Sequence, residues 1–359
     1  MSQKKMKYVT LGKSGLKVSR LILGAMQYGS SLWQPWILEE ETAIQHIKAA
    51  YDLGIQTFDV SDVYSNGMAE TVLGNAIKRL DLPREEIVIM SKIGHFIPKG
   101  GPGVFIAHTD AIPEELGLVN QGGLSRKHIF DSVKASLTRL QLDYIDVLQC
   151  HFLHPDTPLE EVMVALHDIV KAGYARYIGL GTYYAWHFQY MQNYALNNRL
   201  TPFISVQNHY CLLHREAELE LYPTIKMFGV GSVPYSPLAR GHLSRPVDET
   251  TDRSTSDRFF DLYKLGPWED DKEIIRRVQK LAEDRGVSMT QISLAWLLHK
   301  KGVTAPIIGP TSIEQIEDSI GALNISFTKE EMSYLEEPYK ARPELRKYLI
   351  PNCEEWEAE

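Results

Sequence analysis

Eight short apolar segments alternate with helix-like segments along the 359-residue chain, and this alternation restricts the possible folds more than any other feature. Several segments are continuous apolar runs, which are typical of strands buried on both faces of a sheet. Parallel strands need a connection across the outside of the sheet, usually a helix. The pattern therefore predicts an α/β protein, a (β/α)8 barrel of the TIM type. The predicted strands are residues 21–24, 55–59, 87–92, 145–150, 177–180, 203–206, 230–235 and 305–308.

Three segments lie outside this alternation. Residues 1–19 predict an N-terminal β-hairpin around a turn at 12–15, and this hairpin would close one end of the barrel. Residues 94–124 and 241–270 are too long for simple turns, and both follow the carboxyl end of a predicted strand. Loops of that length in a compact domain are usually functional, so we expect them to form walls or lids of a pocket.

The composition argues against several classes of protein. A formal net charge of −8 does not suit a nucleic-acid-binding surface. No segment approaches the run of about eighteen apolar residues that would span a bilayer, and the N-terminus lacks the apolar part of a secretory signal. Three scattered cysteines favour a reducing compartment over a disulfide framework or a zinc cage. We therefore expect a cytoplasmic protein with small-molecule partners, one domain over residues 1–359 and a C-terminal tail at 340–359 whose last residues, 354–359, are acidic.

Polar side chains follow three consecutive predicted strands. Asp59, Lys92 and His151 stand at the carboxyl ends of the second, third and fourth strands, and Tyr64 lies in the loop after Asp59. In a parallel barrel these strand ends meet at one mouth, where ligands bind. The set suits protonation of a carbonyl oxygen as hydride reaches its carbon, with Tyr64 as general acid and His151 holding the oxygen. A buried lysine would favour the phenolate of Tyr64, and a carboxylate would keep that lysine charged.

Five short segments, in the same order, make this sequence resemble the aldo-keto reductase family from about residue 11 to about residue 323. Segments 207–216 and 236–241 are most similar to the fungal aryl-alcohol dehydrogenase-like branch. The resemblance implies a TIM-type barrel that binds a nicotinamide dinucleotide without a Rossmann domain, and a catalytic tetrad of Asp59, Tyr64, Lys92 and His151. The matching segments are 57–59 with Tyr64, Gly67, Glu70 and 73–74; 91–92; 149–151; 206–208; and 234–238.

The same resemblance implies three groups of cofactor-binding residues. The group facing the nicotinamide would be Gly181, Thr182, Gln207 and Tyr235, with Tyr235 stacked on the ring. The group following the pyrophosphate would be Ser236, Leu238 and Arg240. The group holding the adenosine end would be Gly309, Thr311, Ser312, Gln315 and Asp318, where Ser312 caps a helix whose amino end can accept negative charge.

The sequence departs from the family pattern at three places. Gly181 with Thr182 stands where many relatives have a serine and a second polar residue, so one hydroxyl contact to the carboxamide is missing. Phe152 follows His151 where this branch commonly has arginine, which makes the substrate mouth less charged. No Lys or Arg occurs between residues 302 and 328, near the expected position of the adenosine ribose. The resemblance favours NADP(H), with Arg240 reaching in, but NAD(H) is not excluded.

Aromatic residues near the expected mouth indicate the type of substrate. Trp33, Phe96 and Phe152, with Tyr64, are the candidate lining of the substrate pocket. They predict aromatic or bulky apolar carbonyl substrates. The first hypothesis is therefore an NADPH-dependent enzyme that reduces aldehydes or ketones to alcohols and also runs as an alcohol dehydrogenase.

Other functions stay open at this point. A barrel with an intact tetrad can also be a redox-sensing regulatory subunit that binds the cofactor, as the resemblance to potassium-channel β-subunits implies. His151 with His154 and Asp156 can be interpreted as the metal site of a hydrolase, although Pro155 breaks any helix that would join the rings and we expect no metal. The sequence at 179–181 starts a dinucleotide fingerprint but lacks its third glycine, which disfavours a Rossmann fold.

Overall fold

A computed structural model describes residues 6–98, 101–103, 117–153, 157–181, 184–257, 259–265 and 267–341. Two strands form an antiparallel N-terminal hairpin, β1 (Tyr8–Thr10) and β2 (Lys17–Ser19). Eight more form one parallel sheet. They are β3 (Ile22–Gly24), β4 (Thr57–Asp59), β5 (Val88–Ile93), β6 (Ile145–Cys150), β7 (Ala175–Leu180), β8 (Phe203–Val206), β9 (Gly231–Ser232) and β10 (Ile307–Ile308).

The parallel sheet closes into a barrel. Strands β3 to β9 are paired in chain order, and β10 pairs with β3. On its other side, β10 meets the end of β9, because the Ile307 amide donates to the Pro234 carbonyl at 2.8 Å and the Thr304 amide donates to the Ser232 carbonyl at 2.8 Å. The (β/α)8 barrel and the N-terminal hairpin predicted from the sequence are therefore confirmed.

Helices surround the barrel, and most of them bury one face. In the fourth helix, for example, Val162, Leu166 and Ile169 recur at helical spacing and are buried. The helices are α1 (Glu40–Asp52), α2 (Met68–Arg79), α3 (Arg126–Leu140), α4 (Leu159–Lys171), α5 (Ala185–Asn197), α6 (Leu221–Phe228), α7 (Asp252–Ser256), α8 (Trp268–Arg285), α9 (Met289–His299), α10 (Ile313–Gly321) and α11 (Lys329–Glu336).

Several helices begin at a side-chain cap. Ser125, predicted as the cap of α3, accepts a hydrogen bond from the His128 amide, and Ser312 accepts one from the Gln315 amide at the start of α10. Each cap satisfies one amide that has no partner within the helix. The capped amino end of α10 therefore keeps a fixed position beside β10.

The hairpin closes the amino end of the barrel. Leu11 and Val18 pack in one apolar cluster with inward-facing residues of the strands, including Met90 and Val147. The turn approaches the barrel so closely at Gly12 that a Cβ there would lie 2.7 Å from the Gly229 carbonyl oxygen. With this end filled, the carboxyl ends of the strands form the open mouth.

Some boundaries differ from the sequence prediction. Strand β9 ends at Ser232 and not at 235, and β10 starts at Ile307 and not at 305. Pro234 and Pro306 have no amide hydrogen and shorten both ladders. The connection at 241–270 is partly helical, with α7 and a three-ten segment at Phe260–Leu265. Part of the 94–124 connection and most of the tail at 340–359 lie outside the described residues.

Candidate active site

Adjacent strands bring the predicted acid–base residues to one mouth of the barrel. Strands β4, β5 and β6 are neighbours, and they end near Asp59, Lys92 and His151. Tyr64 opens a three-ten turn that follows β4 and leads into α2. The next two residues of that turn have positive φ angles of 48° and 53°, a conformation that costs about 1 to 3 kcal/mol per residue. The surrounding contacts therefore hold Tyr64 in a strained turn.

Asp59 and Lys92 form a buried ion pair at the centre of the site. The Lys92 Nζ lies 2.5 Å from Asp59 Oδ1 and donates to the Val60 carbonyl at 2.8 Å. The second carboxylate oxygen, Oδ2, accepts from Gln207 Nε2 at 2.8 Å and from Gln149 Nε2 at 3.1 Å. A buried ion pair needs such additional hydrogen bonds to offset its loss of hydration.

The charge of Lys92 is maintained despite its burial. Burial lowers the pKa of Lys92, but the charges of Asp59 and Tyr64 outweigh it, so the pKa is raised above its ordinary value. Lys92 is therefore an ammonium at neutral pH, and its Nζ lies 4.9 Å from the centroid of the Tyr64 ring.

Burial and charge have opposing effects on the pKa of Tyr64. Burial raises it and the positive charge of Lys92 lowers it, and the net direction is upward. Lys92 favours the phenolate, as the sequence predicted, but desolvation of the phenol has the larger effect on its pKa. Tyr64 is therefore protonated at neutral pH, which is the state that a general acid requires.

His151 completes the cluster as a neutral imidazole. Its ring lies edge-on to Tyr64, with centroids 5.9 Å apart, and its Nδ1 lies 2.9 Å from Ser61 Oγ. Burial lowers the pKa of His151 well below its usual value, and the charges of His95 and Lys92 add to this effect. A neutral imidazole, a phenol and an ammonium thus meet at one mouth, and together they can donate hydrogen bonds and a proton to an oxygen atom.

The residues expected to face the nicotinamide lie around this cluster. Gln207 hydrogen-bonds Asp59, as described above, and Tyr235 contributes to the electrostatic field at Tyr64. A Cβ at Gly181 would lie 2.4 Å from the Cys150 carbonyl oxygen, so glycine is required there. Thr182 lies outside the described residues.

Arg240 pairs with a carboxylate of its own long connection. Its Nη1 donates to both carboxylate oxygens of Asp257, at 3.0 and 2.7 Å. Arg240 has a positive φ of 54° and Ser236 one of 51°, so the segment that also carries Leu238 turns sharply after β9. Asp257, in the same long connection, therefore binds the guanidinium of Arg240, and the role of Arg240 at the cofactor stays a prediction.

Arg253 supplies a cation that the sequence analysis missed. Its Nη1 donates to the Gly309 carbonyl at 3.2 Å, and its guanidinium lies 4.2 Å from the centroid of the Trp36 ring. Burial and the nearby charge of Arg240 lower the pKa of Arg253 to about 10, so it still carries its charge at neutral pH. No pattern in the sequence connects this loop residue with Gly309.

The predicted adenosine residues divide into two groups. Thr311 donates its amide to Gln315 Oε1 at 2.8 Å, beside the capping Ser312 at the exposed start of α10. Asp318 instead faces α9, where Ser288 Oγ and Gln291 Nε2 each donate to its carboxylate at 2.6 Å. The structure therefore brings Thr311, Ser312 and Gln315 together but places the carboxylate of Asp318 elsewhere.

The three residues predicted to line the substrate pocket lie in different surroundings. Trp33 is buried in a cluster with Trp36 and Ile37 that also contacts Tyr64. Phe152 stacks on His151 with an angle of 11° between the rings. Phe96 packs against Gly122, on the other limb of its loop, where a Cβ would lie 2.4 Å from the Phe96 ring.

Two more residues that the sequence analysis missed border this region. Met26 contacts the cluster that contains Trp33, and His95 lies edge-on to His151 with centroids 4.6 Å apart. His95 follows Lys92 by three residues, which is the signal that would have identified it as a neighbour of the mouth. The side chains beside Tyr64 and His151 are thus largely apolar or aromatic.

The described part of the chain contains no group of three or more His, Cys, Asp and Glu residues able to hold a metal. His154 and Asp156, the other members of the metal-site alternative, lie outside that part. Among the helices described above, none is long and apolar enough to cross a bilayer.

Eight parallel strands with this acid–base cluster at their carboxyl ends define a (β/α)8-barrel oxidoreductase. Residues 20–340 match the model of the aldo/keto reductase family, and the chain belongs to that family. Enzymes of this family use NAD(P)H and act on small-molecule carbonyl compounds.

Individual relatives agree along most of the chain. The sequence is 44% identical over 338 residues to the "Putative aryl-alcohol dehydrogenase AAD16" of Saccharomyces cerevisiae, covering 93% of this chain and 97% of that protein. It is 43% identical over 337 residues to the versiconal hemiacetal acetate reductase of Aspergillus parasiticus, covering 93% and 97%. It is 43% identical over 348 residues to the aldo-keto reductase dtxS3 of Metarhizium robertsii, covering 94% and 92%. The resemblance to the fungal aryl-alcohol dehydrogenase-like branch is confirmed.

Proposed function

We propose that this protein catalyses the reversible, NADPH-dependent reduction of aldehydes or ketones to alcohols, with Tyr64 as the general acid. The supporting observation is the buried Asp59–Lys92 pair, 2.5 Å apart, with its ammonium 4.9 Å from the centroid of the Tyr64 ring. A buried, hydrogen-bonded ion pair next to a partly buried phenol is the arrangement expected when that phenol must give up a proton.

Each residue of the cluster has a separate task. Bound NADPH would supply the hydride. Tyr64 donates its proton to the carbonyl oxygen, and the ammonium of Lys92 stabilises the phenolate that remains. Asp59 holds Lys92 in place through their hydrogen bond and keeps the lysine protonated. Neutral His151 donates a hydrogen bond to the same carbonyl oxygen and orients the substrate.

The chain offers suitable groups for a dinucleotide. Gly181 packs closely against the backbone of Cys150 and His151, and the capped start of α10 can accept negative charge. The charges of Arg240 and Arg245 add to the effect of burial in lowering the pKa of Arg253, and both Arg240 and Arg253 pair with Asp257. This excess of positive charge next to Gly309 favours a cofactor with an additional phosphate, which is NADPH.

The apolar surroundings of the cluster favour aromatic or bulky apolar carbonyl substrates. Trp33 and Met26 lie on the side of Tyr64, and Phe152 stacks on His151. Aromatic side chains in such positions bind a substrate ring by offset or edge-on contacts.

The proposal is tested by replacing Tyr64 with Phe and following NADPH absorbance with a panel of benzaldehydes and small polar aldehydes. We expect the wild type to turn over benzaldehydes best, and the Tyr64→Phe variant to lose turnover while binding NADPH normally by fluorescence. Tyr334→Phe, at an exposed position on α11, is the matched control and should stay fully active. Retained turnover in Tyr64→Phe would contradict the role of Tyr64 as acid.

A further inference from the structure

Ser61 lies between the candidate catalytic histidine and a buried carboxyl group. Its Oγ is 2.9 Å from His151 Nδ1 and 3.1 Å from Asp62 Oδ1, and its contact with the Lys92 carbonyl is longer, at 3.5 Å. Ser61 and Asp62 are both fully buried. The mechanism proposed above uses neither of them.

A serine hydroxyl has one hydrogen, so it can donate to only one of these two neighbours at a time. If Asp62 is ionised, Ser61 donates to the carboxylate, and His151 donates its Nδ1 hydrogen to Ser61. If Asp62 is protonated on Oδ1, it donates to Ser61, and Ser61 donates to His151 Nδ1. Because His151 is neutral and has a single ring hydrogen, that hydrogen is on Nδ1 in the first case and on Nε2 in the second.

The surroundings of Asp62 allow both states near neutral pH. Burial raises the pKa of Asp62 to about 7, and the charge of Glu70 on α2 contributes to the rise, whereas Arg139 on α3 opposes it. Glu70 and Arg139 form their own ion pair at 2.7 Å. In the described part of the chain, Asp62 Oδ2 has no hydrogen-bond partner, which further disfavours the carboxylate.

We propose that Asp62, acting through Ser61, determines which ring nitrogen of His151 carries the hydrogen, and that Ser61 and Asp62 are therefore positioning residues for the reaction. The inference rests on the proposed role of His151 beside the carbonyl oxygen. With Asp62 protonated, the Nε2 hydrogen is available to a carbonyl oxygen, which suits reduction. With Asp62 ionised, Nε2 carries no hydrogen, so the carbonyl oxygen loses this hydrogen bond and reduction slows.

The proton balance of the change is simple. When Asp62 loses its proton to Ser61, Ser61 passes its own hydrogen to His151 Nδ1, and the Nε2 hydrogen leaves on the substrate side. Ser61 and His151 each gain and lose one proton, so only Asp62 changes its charge. Ionisation of Asp62 and the change of tautomer are thus a single event.

The direct test is ¹⁵N NMR of the full chain labelled at histidine, without cofactor or substrate, with His151 assigned by the His151→Gln variant. We expect the Nε2–H form at pH 5.5 and the Nδ1–H form at pH 8.5. Asp62→Asn should keep a single tautomer from pH 5.5 to pH 8.5, because its amide does not change charge in this range. A His151 tautomer that does not change with pH in the wild type, or that changes in the same way in Asp62→Asn, would overturn the proposal.

A kinetic readout separates positioning from a merely structural role. In the wild type, kcat for carbonyl reduction should fall about tenfold from pH 6 to pH 8.5, which is within the range of the net contribution of one neutral hydrogen bond. In Asp62→Asn it should change less than twofold, and Asp131→Asn, an exposed substitution on α3, should behave as the wild type. A pH effect on kcat that persists in Asp62→Asn would contradict the proposal. The NMR test needs no turnover, so it decides this inference even if Tyr64→Phe were to disprove the proposed reaction.

Discussion

Arg253 donates a hydrogen bond to the carbonyl oxygen of Gly309 at 3.2 Å and thereby joins the long connection after β9 to the segment between β10 and α10. The link places a guanidinium where the neighbouring sequence, from residue 303 to 327, has no Lys or Arg of its own. A cation in this position is the simplest physical basis for preferring the phosphorylated dinucleotide.

Replacing Arg253 with Met should therefore weaken NADPH more than NADH. A hydrogen bond to a charged group contributes about 1.5 to 3 kcal/mol, so we expect KM for NADPH to rise about 10- to 100-fold with little change in kcat. The rise for NADH should be at least fivefold smaller. Steady-state kinetics with both cofactors measure this, and Arg276→Met, at an exposed position on α8, is the matched control. Equal effects on both cofactors would contradict the assignment.

The Asp59–Lys92 pair allows stability and catalysis to be separated. Lys92→Met leaves the Asp59 carboxylate buried without its cation, so unfolding in urea should show a loss of about 3 to 5 kcal/mol. The double variant Asp59→Asn with Lys92→Met removes both charges and should regain most of that free energy. Turnover should be absent in both variants, since neither can stabilise the phenolate of Tyr64. A double variant that regained activity together with stability would refute the electrostatic role of Lys92.

The raised pKa of Asp62 predicts how stability depends on pH. The group titrates at about 7 in the folded protein and at 3.8 in a model carboxyl, so between these values the native state binds more protons than the unfolded state. Stability therefore falls as pH rises through this window, by at most about 1.4 kcal/mol per pH unit, and the penalty is complete above pH 7. In urea titrations, Asp62→Asn should be more stable than the wild type at pH 8. This difference in the free energy of unfolding should be larger at pH 8 than at pH 5. The opposite trend would show that Asp62 is ionised in the folded protein at low pH.

The stacking of Phe152 on His151 predicts a change of substrate preference. Phe152→Leu keeps the apolar volume but removes the ring, and an aromatic contact contributes about 0.5 to 1.5 kcal/mol beyond its area. The ratio of kcat/KM for benzaldehydes to that for aliphatic aldehydes of similar size should fall about 2- to 10-fold. Val164→Leu, at an exposed position on α4, is the control. An unchanged ratio would show that Phe152 does not contact the substrate ring.

The sequence was sufficient to group Asp59, Lys92 and His151 because parallel strands end at the same edge of a sheet. Once the apolar runs 55–59, 87–92 and 145–150 were recognised as neighbouring strands, their ends had to meet. The same logic located Gln207 after β8. These residues needed no knowledge of loop conformation.

Other features depend on tertiary contacts that have no local pattern. Arg240 binds Asp257, and Arg253 reaches Gly309, only because the 241–270 connection folds back on itself and on β10. The net direction of the Tyr64 pKa depends on the depth of burial as well as on the charge of Lys92. The carboxylate of Asp318 faces α9 because two donors stand there. The charge and spacing of residues in the sequence do not show which of several possible partners a side chain will bind, or which of two opposing effects on a pKa will be larger.

The β-hairpin at the amino end of the barrel has a practical consequence for engineering. Leu11 and Val18 complete the floor of the barrel at the end remote from Tyr64 and His151. The side chains that close the barrel floor are therefore different from those that carry out the reaction, and the two sets lie at opposite ends of the barrel. Libraries that vary the mouth to change substrate should retain a folded scaffold, whereas disruption of the hairpin floor should lower expression of every member equally.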